Sequence, residues 1–86
     1  MSIPKSPPTG TFTPKQGQYL AFIHLYTKLN RRPPAETDIQ RYFGVTAPAV
    51  HDMILRLEEA GLVLRTPRSP RSLKVLLPPE HIPQLE

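Results

Sequence analysis

Four bases fall within ten residues, at Arg65, Arg68, Arg71 and Lys74, and no acid interrupts them. A cluster of this kind neutralises phosphates, and when it sits on an exposed loop it can follow a nucleic-acid backbone. A second group of interest begins at Thr46. Threonine caps helices well, and the N–H groups that follow it, on Ala47, Ala49 and Val50, then form an anion site suited to phosphate. One turn further on, His51 can donate to guanine N7 or O6, and Asp52 can accept from cytosine N4. Ala47, Pro48 and Ala49 can touch thymine methyls, and Arg56 adds one cation. Each of these residues also has a plainer use. Asp52 stands four residues before Arg56 and can simply pair with it along a helix. His51 on an outward face can be satisfied by water, as can Arg31 and Arg32 in a turn.

Catalysis finds little support. Ser69 and Ser72 have no base on a shared rigid element, and His24, His51 and His81 fall on three different ones. The glycines, at positions 10, 17, 44 and 61, lack the spacing of a phosphate-cradling loop. There is no cysteine, hence no disulfide, thiolate metal site or thiol nucleophile, and the composition fits a reducing compartment. We therefore expect no enzyme, cofactor, metal or small-molecule ligand. No apolar run approaches the roughly 20 residues of a membrane span, and Met1–Gly10 has no secretory hydrophobic segment. A cytoplasmic location without membrane contact is expected.

Residue types become a site only if folded elements position them. A chain of 86 residues with 12 prolines has room for one core. The prolines divide it into a flexible arm (1–12), a domain (13–77) and an extended tail (78–86) pinned by Ile82 or Leu85. Thr13, Pro14 and Gln16 form a helix start, with cap, first-turn proline and capping-box glutamine. Apolar residues at Tyr19, Leu20, Phe22, Ile23, Tyr26 and Leu29 then predict a helix over about Pro14–Asn30. Asn30 and Pro33–Pro34 stop it. A shorter helix, about Ala35–Phe43, turns Ile39, Tyr42 and Phe43 inward and ends at Gly44. Thr46 caps a third helix over 47–60, with Pro48 in its first turn and Val50, Met53, Ile54 and Leu57 on one stripe. The aromatic residues lie at core spacing and are read as packing, not as a base-stacking platform.

After Gly61 the period changes. Leu62 and Leu64 alternate with Val63 and Arg65, and Leu73, Val75 and Leu77 alternate with Lys74 and Leu76, which predicts two strands joined across Thr66–Arg71. The fold class is mainly α with a small β-hairpin. Three helices, the last two joined by Gly44–Val45–Thr46, precede a two-stranded antiparallel wing, which is a winged helix-turn-helix.

Pro33-Pro34 through Ile39, Phe43-Gly44-Val45-Thr46 and Val50, then Leu57-Glu58-Glu59-Ala60-Gly61-Leu62-Val63, resemble the DNA-binding domain of the LexA repressor family. MarR-type regulators share the pattern more loosely. The resemblance covers roughly Thr13–Pro79. It implies a DNA-binding transcriptional regulator, with helix 47–60 in the major groove of double-stranded DNA and the basic wing 65–74 on its backbone. Full LexA repressors continue into a self-cleaving protease domain with a Ser/Lys pair, and no such domain occurs before Glu86. Signal-induced self-cleavage is therefore not expected of this chain alone.

The charge pattern refines that expectation. The net charge of +4 resolves into +4 over 1–44, −2 over 45–60 (Arg56 against Asp52, Glu58 and Glu59), +4 over 61–77 and −2 over 78–86. Affinity should thus be led by the backbone, with modest base reading. One such module would bury about 600–1,000 Å² on DNA, so a homodimer is expected, with Leu55, Leu76 or the arm as candidate contacts. Two other readings fit the same residues: a winged helix used for protein contact, favoured by Asp52, Glu58 and Glu59, and a module for RNA.

Overall fold

A computed structural model of the chain describes residues 12–86; the arm expected over 1–12 lies outside them except for Phe12, which packs on the core. Helix α1 spans Pro14–Asn30, α2 spans Glu36–Phe43 and α3 spans Ala47–Glu59. The capping box forms as the sequence implies: Gln16 N–H donates to the Thr13 hydroxyl at 3.1 Å, and Thr13 N–H donates to the Gln16 side chain at 2.9 Å. Helix α1 ends at Asn30, and Arg31 caps it in the left-handed conformation with its N–H bonding the Thr27 carbonyl. In α2, Asp38 supplies the cap in place of a Ser or Thr, its Oδ2 accepting from Ala35 N–H at 2.8 Å. Gly44 closes α2 at φ 66°. A side chain there would meet open space, so it is the backbone conformation that calls for glycine.

The three helices share one core. Tyr19, Leu20, Phe22 and Ile23 from α1 meet Ile39 from α2 and Val50, Ile54 and Leu57 from α3. Tyr19 stacks flat on Phe43 with ring centroids 4.5 Å apart, and Phe22 stacks on Tyr42 at 4.7 Å. Three residues of the expected apolar faces sit differently. Leu29 is 72 % exposed because the last turn of α1 overhangs the core. Tyr42 covers Phe22 with one ring face and leaves nearly half of itself in water. Leu64 is exposed, whereas Leu62 and Val63 are both buried. The reason is that Leu62 belongs to the turn that closes α3, its N–H bonding the Leu57 carbonyl at 2.9 Å, so strand alternation begins only at Val63.

Strands β1 (Val63–Leu64) and β2 (Lys74–Val75) pair antiparallel, Val63 opposite Val75 and Leu64 opposite Lys74. A bond from Leu76 N–H to the Leu62 carbonyl extends the pairing. So small a hairpin is marginal alone. Here Leu73 and Leu77 anchor it in the helical core, and β2 lies against α1. The tail is not simply extended. It makes a 3₁₀ turn over Pro79–His81 and then runs back along α1, where Gln18 donates to the Gln84 carbonyl and accepts from Glu86 N–H. Ile82 and Leu85 pack on the core, and Pro83 approaches Gly17 so closely that an added Cβ would lie 3.0 Å from its ring. Among the described residues, no helix is long and apolar enough to cross a membrane.

Candidate nucleic-acid interface

The outward face of α3 is built by its inward one. With Val50, Ile54 and Leu57 fully buried, Ala47, Pro48, Ala49, His51, Asp52, Leu55 and Arg56 are all exposed. A 13-residue helix is roughly 20 Å long, enough to lie along a groove. Its N-terminus offers less to an anion than the sequence suggests. The Thr46 hydroxyl takes Ala49 N–H at 3.3 Å, and the Thr46 carbonyl takes Val50 N–H at 3.1 Å. Since Pro48 has no N–H, only that of Ala47 remains of the expected cradle.

Three of the candidate residues on α3 have partners within the chain. Arg56 pairs with Asp52 at 3.0 Å, both well exposed. His51 lies 3.5 Å from Glu36 at the start of α2. Glu36 in turn lines a cleft shared with Arg65, Thr66, Ser69 and Pro70. The exposed helix, the first turn of α2 and the hairpin loop therefore border one continuous surface.

The four hairpin bases divide into two kinds. Arg65 donates from Nε to Glu58 at 3.1 Å and its side chain is about one-quarter exposed. Arg71 turns inward, its Nη1 within hydrogen-bond distance of Asp38 Oδ2 (2.9 Å), the Tyr26 hydroxyl (3.2 Å) and the Pro33 carbonyl (3.4 Å). Arg68 and Lys74 are exposed and, among the described residues, form no ion pair. Arg65 and Arg71, both expected as DNA contacts, are each held by a carboxylate of a helix in the free chain. Sequence spacing cannot show this, because Arg71 and Asp38 are 33 positions apart.

Electrostatics around Asp38 follow from these contacts. The Ala35 N–H holds its carboxyl below the usual carboxylate range, and the charge and hydrogen bonds of Arg71 and the Tyr26 hydroxyl act the same way. The Tyr26 hydroxyl first, and the Asp38 carboxylate with it, hold Arg71 above its ordinary value. Burial pushes the Tyr19 phenol up, as befits a core ring.

His24, His51 and His81 do not converge, and among the described residues no three His, Asp or Glu side chains group as metal ligands would. The Ser72 hydroxyl is occupied by the Thr66 backbone.

Comparison with known proteins adds an independent line. No protein-family model matches the chain. Curated relatives do. The chain is 33 % identical over 70 residues to a LexA repressor of Thermosipho africanus, covering 81 % of this chain and 35 % of that protein. A LexA repressor of Nocardioides sp. is 36 % identical over 78 residues, covering 88 % and 32 %. This chain is similar to LexA repressors. It spans about a third of the length of the LexA repressors it matches, and a third example, from Exiguobacterium sibiricum, is 34 % identical over 64 residues with the same proportion. The LexA-like region takes in most of the chain, and the three helices with a two-stranded antiparallel wing are the architecture expected of it.

Proposed function

We propose that this chain is a DNA-binding transcriptional regulator of LexA-like kind, a repressor by the names of its relatives, which binds double-stranded DNA. The observation that carries the reading is the exposed face of α3 followed by a hairpin in which Arg68 and Lys74 are exposed and, among the described residues, form no ion pair. Helix α3 lies in the major groove, with Ala47, Pro48, Ala49 and His51 against base edges and Thr46 at the backbone. Arg68 and Lys74 contact phosphates or the adjacent minor groove. Asp52 and Arg56 satisfy each other first, so base discrimination by α3 is modest. The proposal is one of binding and not of catalysis, in a cytoplasmic protein that acts as a homodimer, since one module covers only about 600–1,000 Å² of DNA interface.

The test is a salt titration of duplex binding. The wild-type chain should bind at low salt with log affinity falling linearly in log salt, and Arg68→Ala with Lys74→Ala should reduce the slope by about two. No binding to any duplex at low salt overturns the reading and favours the protein-contact alternative, which the acids Asp52, Glu58 and Glu59 on α3 support. A random-duplex selection would report half-sites about one helical turn apart if the active form is a dimer.

A further inference from the structure

The nine-residue connection between the strands, residues 65–73, has an unusual construction. Two of its non-glycine residues, Arg68 (φ 65°) and Arg71 (φ 59°), stand in the left-handed region. L-residues seldom adopt it, and such conformations persist where surrounding contacts over-determine them. Those contacts are visible. At the neck of the loop the Ser72 hydroxyl accepts from Thr66 N–H (2.9 Å) and donates to the Thr66 carbonyl (3.2 Å), and Ser69 N–H bonds the same carbonyl (3.1 Å). On one side Arg65 ties the loop to Glu58 of α3. On the other, Arg71 ties it to three places at once: Tyr26 on α1, the Pro33 carbonyl between the helices, and Asp38 on α2. Asp38 is itself fixed by the Ala35 N–H, so the anchor is built into the start of a helix. Pro67, Arg68, Ser69 and Pro70 are left exposed at the tip.

We infer that Arg71 is a positioning residue: it fastens the wing to the α1–α2 pair so that Arg68 is presented at a fixed place and angle beside α3, and it does not itself serve mainly as a phosphate contact. The chemistry of the site supports this division. An arginine whose Nη1 faces a carboxylate, a phenol and a carbonyl is already neutralised at close range, and moving it to a phosphate would leave Asp38 without its cation. Arg68, three residues earlier, has no such partner among the described residues. A wing held in place in the free protein loses less freedom on binding than a mobile one. The inference rests on the reading of the hairpin as a DNA contact for its consequence, but not for its mechanical part.

Two measurements separate those parts. In the free chain, ¹⁵N relaxation should give Arg68 and Ser69 order parameters near the rigid value of about 0.85, falling below about 0.6 in Arg71→Ala. Asp38→Asn, which keeps an acceptor for Ala35 N–H and so spares the helix cap, should loosen the same residues. Unchanged order parameters in both variants overturn the inference. On duplex DNA at fixed low salt, Arg68→Ala should weaken binding about tenfold in the wild-type background and only about twofold in an Arg71→Ala background, because a misplaced wing has little left to lose. Asp38→Asn should also weaken binding, although it makes the surface more positive. Independent tenfold losses that multiply, or tighter binding by Asp38→Asn, would identify Arg71 as a phosphate contact and overturn the inference. Should Arg71→Ala fail to fold, Asp38→Asn alone still decides by the sign of its effect. Should the wild-type chain bind no duplex, the DNA reading falls while the relaxation data still decide what Arg71 holds.

Discussion

Helix α3 and the hairpin that follows it are tied together by Arg65 and Glu58 but are stabilised in opposite ways. The helix is held from beneath by three fully buried side chains, Val50, Ile54 and Leu57, and its outer face is free to vary. Its exposed Asp52 and Arg56 pair with each other, and His51 lies 3.5 Å from Glu36. The hairpin has only two paired residues per strand and little area of its own to bury. Its loop is held by polar fasteners at the neck and at both flanks, and of its unpaired bases Arg68 stands at the tip and Lys74 on β2. The comparison teaches that shape and charge are separated here: the helix supplies a rigid surface of low net charge, and the wing supplies cations on a scaffold tied down by other cations.

The most severe way to break the comparison is to remove what both regions stand on. Ile54→Ala empties a fully buried site between α3 and its neighbours and should cost about 2–5 kcal/mol. Urea unfolding should show α3 and the hairpin lost in one transition. At the next level, Arg68→Ala with Lys74→Ala should weaken duplex binding about tenfold or more in moderate salt and leave the melting temperature unchanged. A large stability loss would mean that the tip is part of the fold and would blur the division. Gly44→Ala tests the joint between α2 and α3. Its left-handed backbone should make alanine destabilising by about 1–2 kcal/mol, read by thermal melting.

Asp38 offers a pH test of the wing's anchor. Its carboxyl is held below the usual range in the folded protein, so the stability it adds is present above the unfolded carboxylate value of about 3.9 and is lost as pH falls through the lower folded value. Denaturant midpoints compared at pH 6 and pH 3 should fall with acid in the wild type and fall less in Asp38→Asn. The smallest effect is expected on the face of α3. Asp52→Ala breaks an exposed pair with Arg56 and should change stability by only a few tenths of a kcal/mol. It should tighten binding to random duplex slightly, because Arg56 is released and an acid removed. Weaker and less selective binding would instead make Asp52 a base reader.

How much was legible before folding differs along the chain. Helix boundaries were readable because Thr13–Pro14–Gln16, Gly44 and Thr46–Pro48 act locally, through capping and fixed dihedrals. The same locality explains why the outward set on α3 was readable from its inward stripe. The strand register at Leu64 is not legible from alternation, since the turn after α3 consumes Leu62 before alternation starts. The candidate site was readable as a list of bases and not as a division of labour among them. Arg65, Arg68, Arg71 and Lys74 are chemically alike in the sequence, and the helical acids that distinguish two of them lie 7 and 33 positions away.

By itself, then, the sequence determined the order and ends of the helices, the hairpin, the absence of any thiol and the clustering of positive charge, because each depends on neighbours within a turn or two. Only the tertiary structure decided which arginines meet a helical carboxylate, which stands exposed at the loop tip, and how many N–H groups at the start of α3 stay unpaired. Those outcomes depend on side chains remote in sequence meeting at hydrogen-bond distance, and only the packed core brings them there.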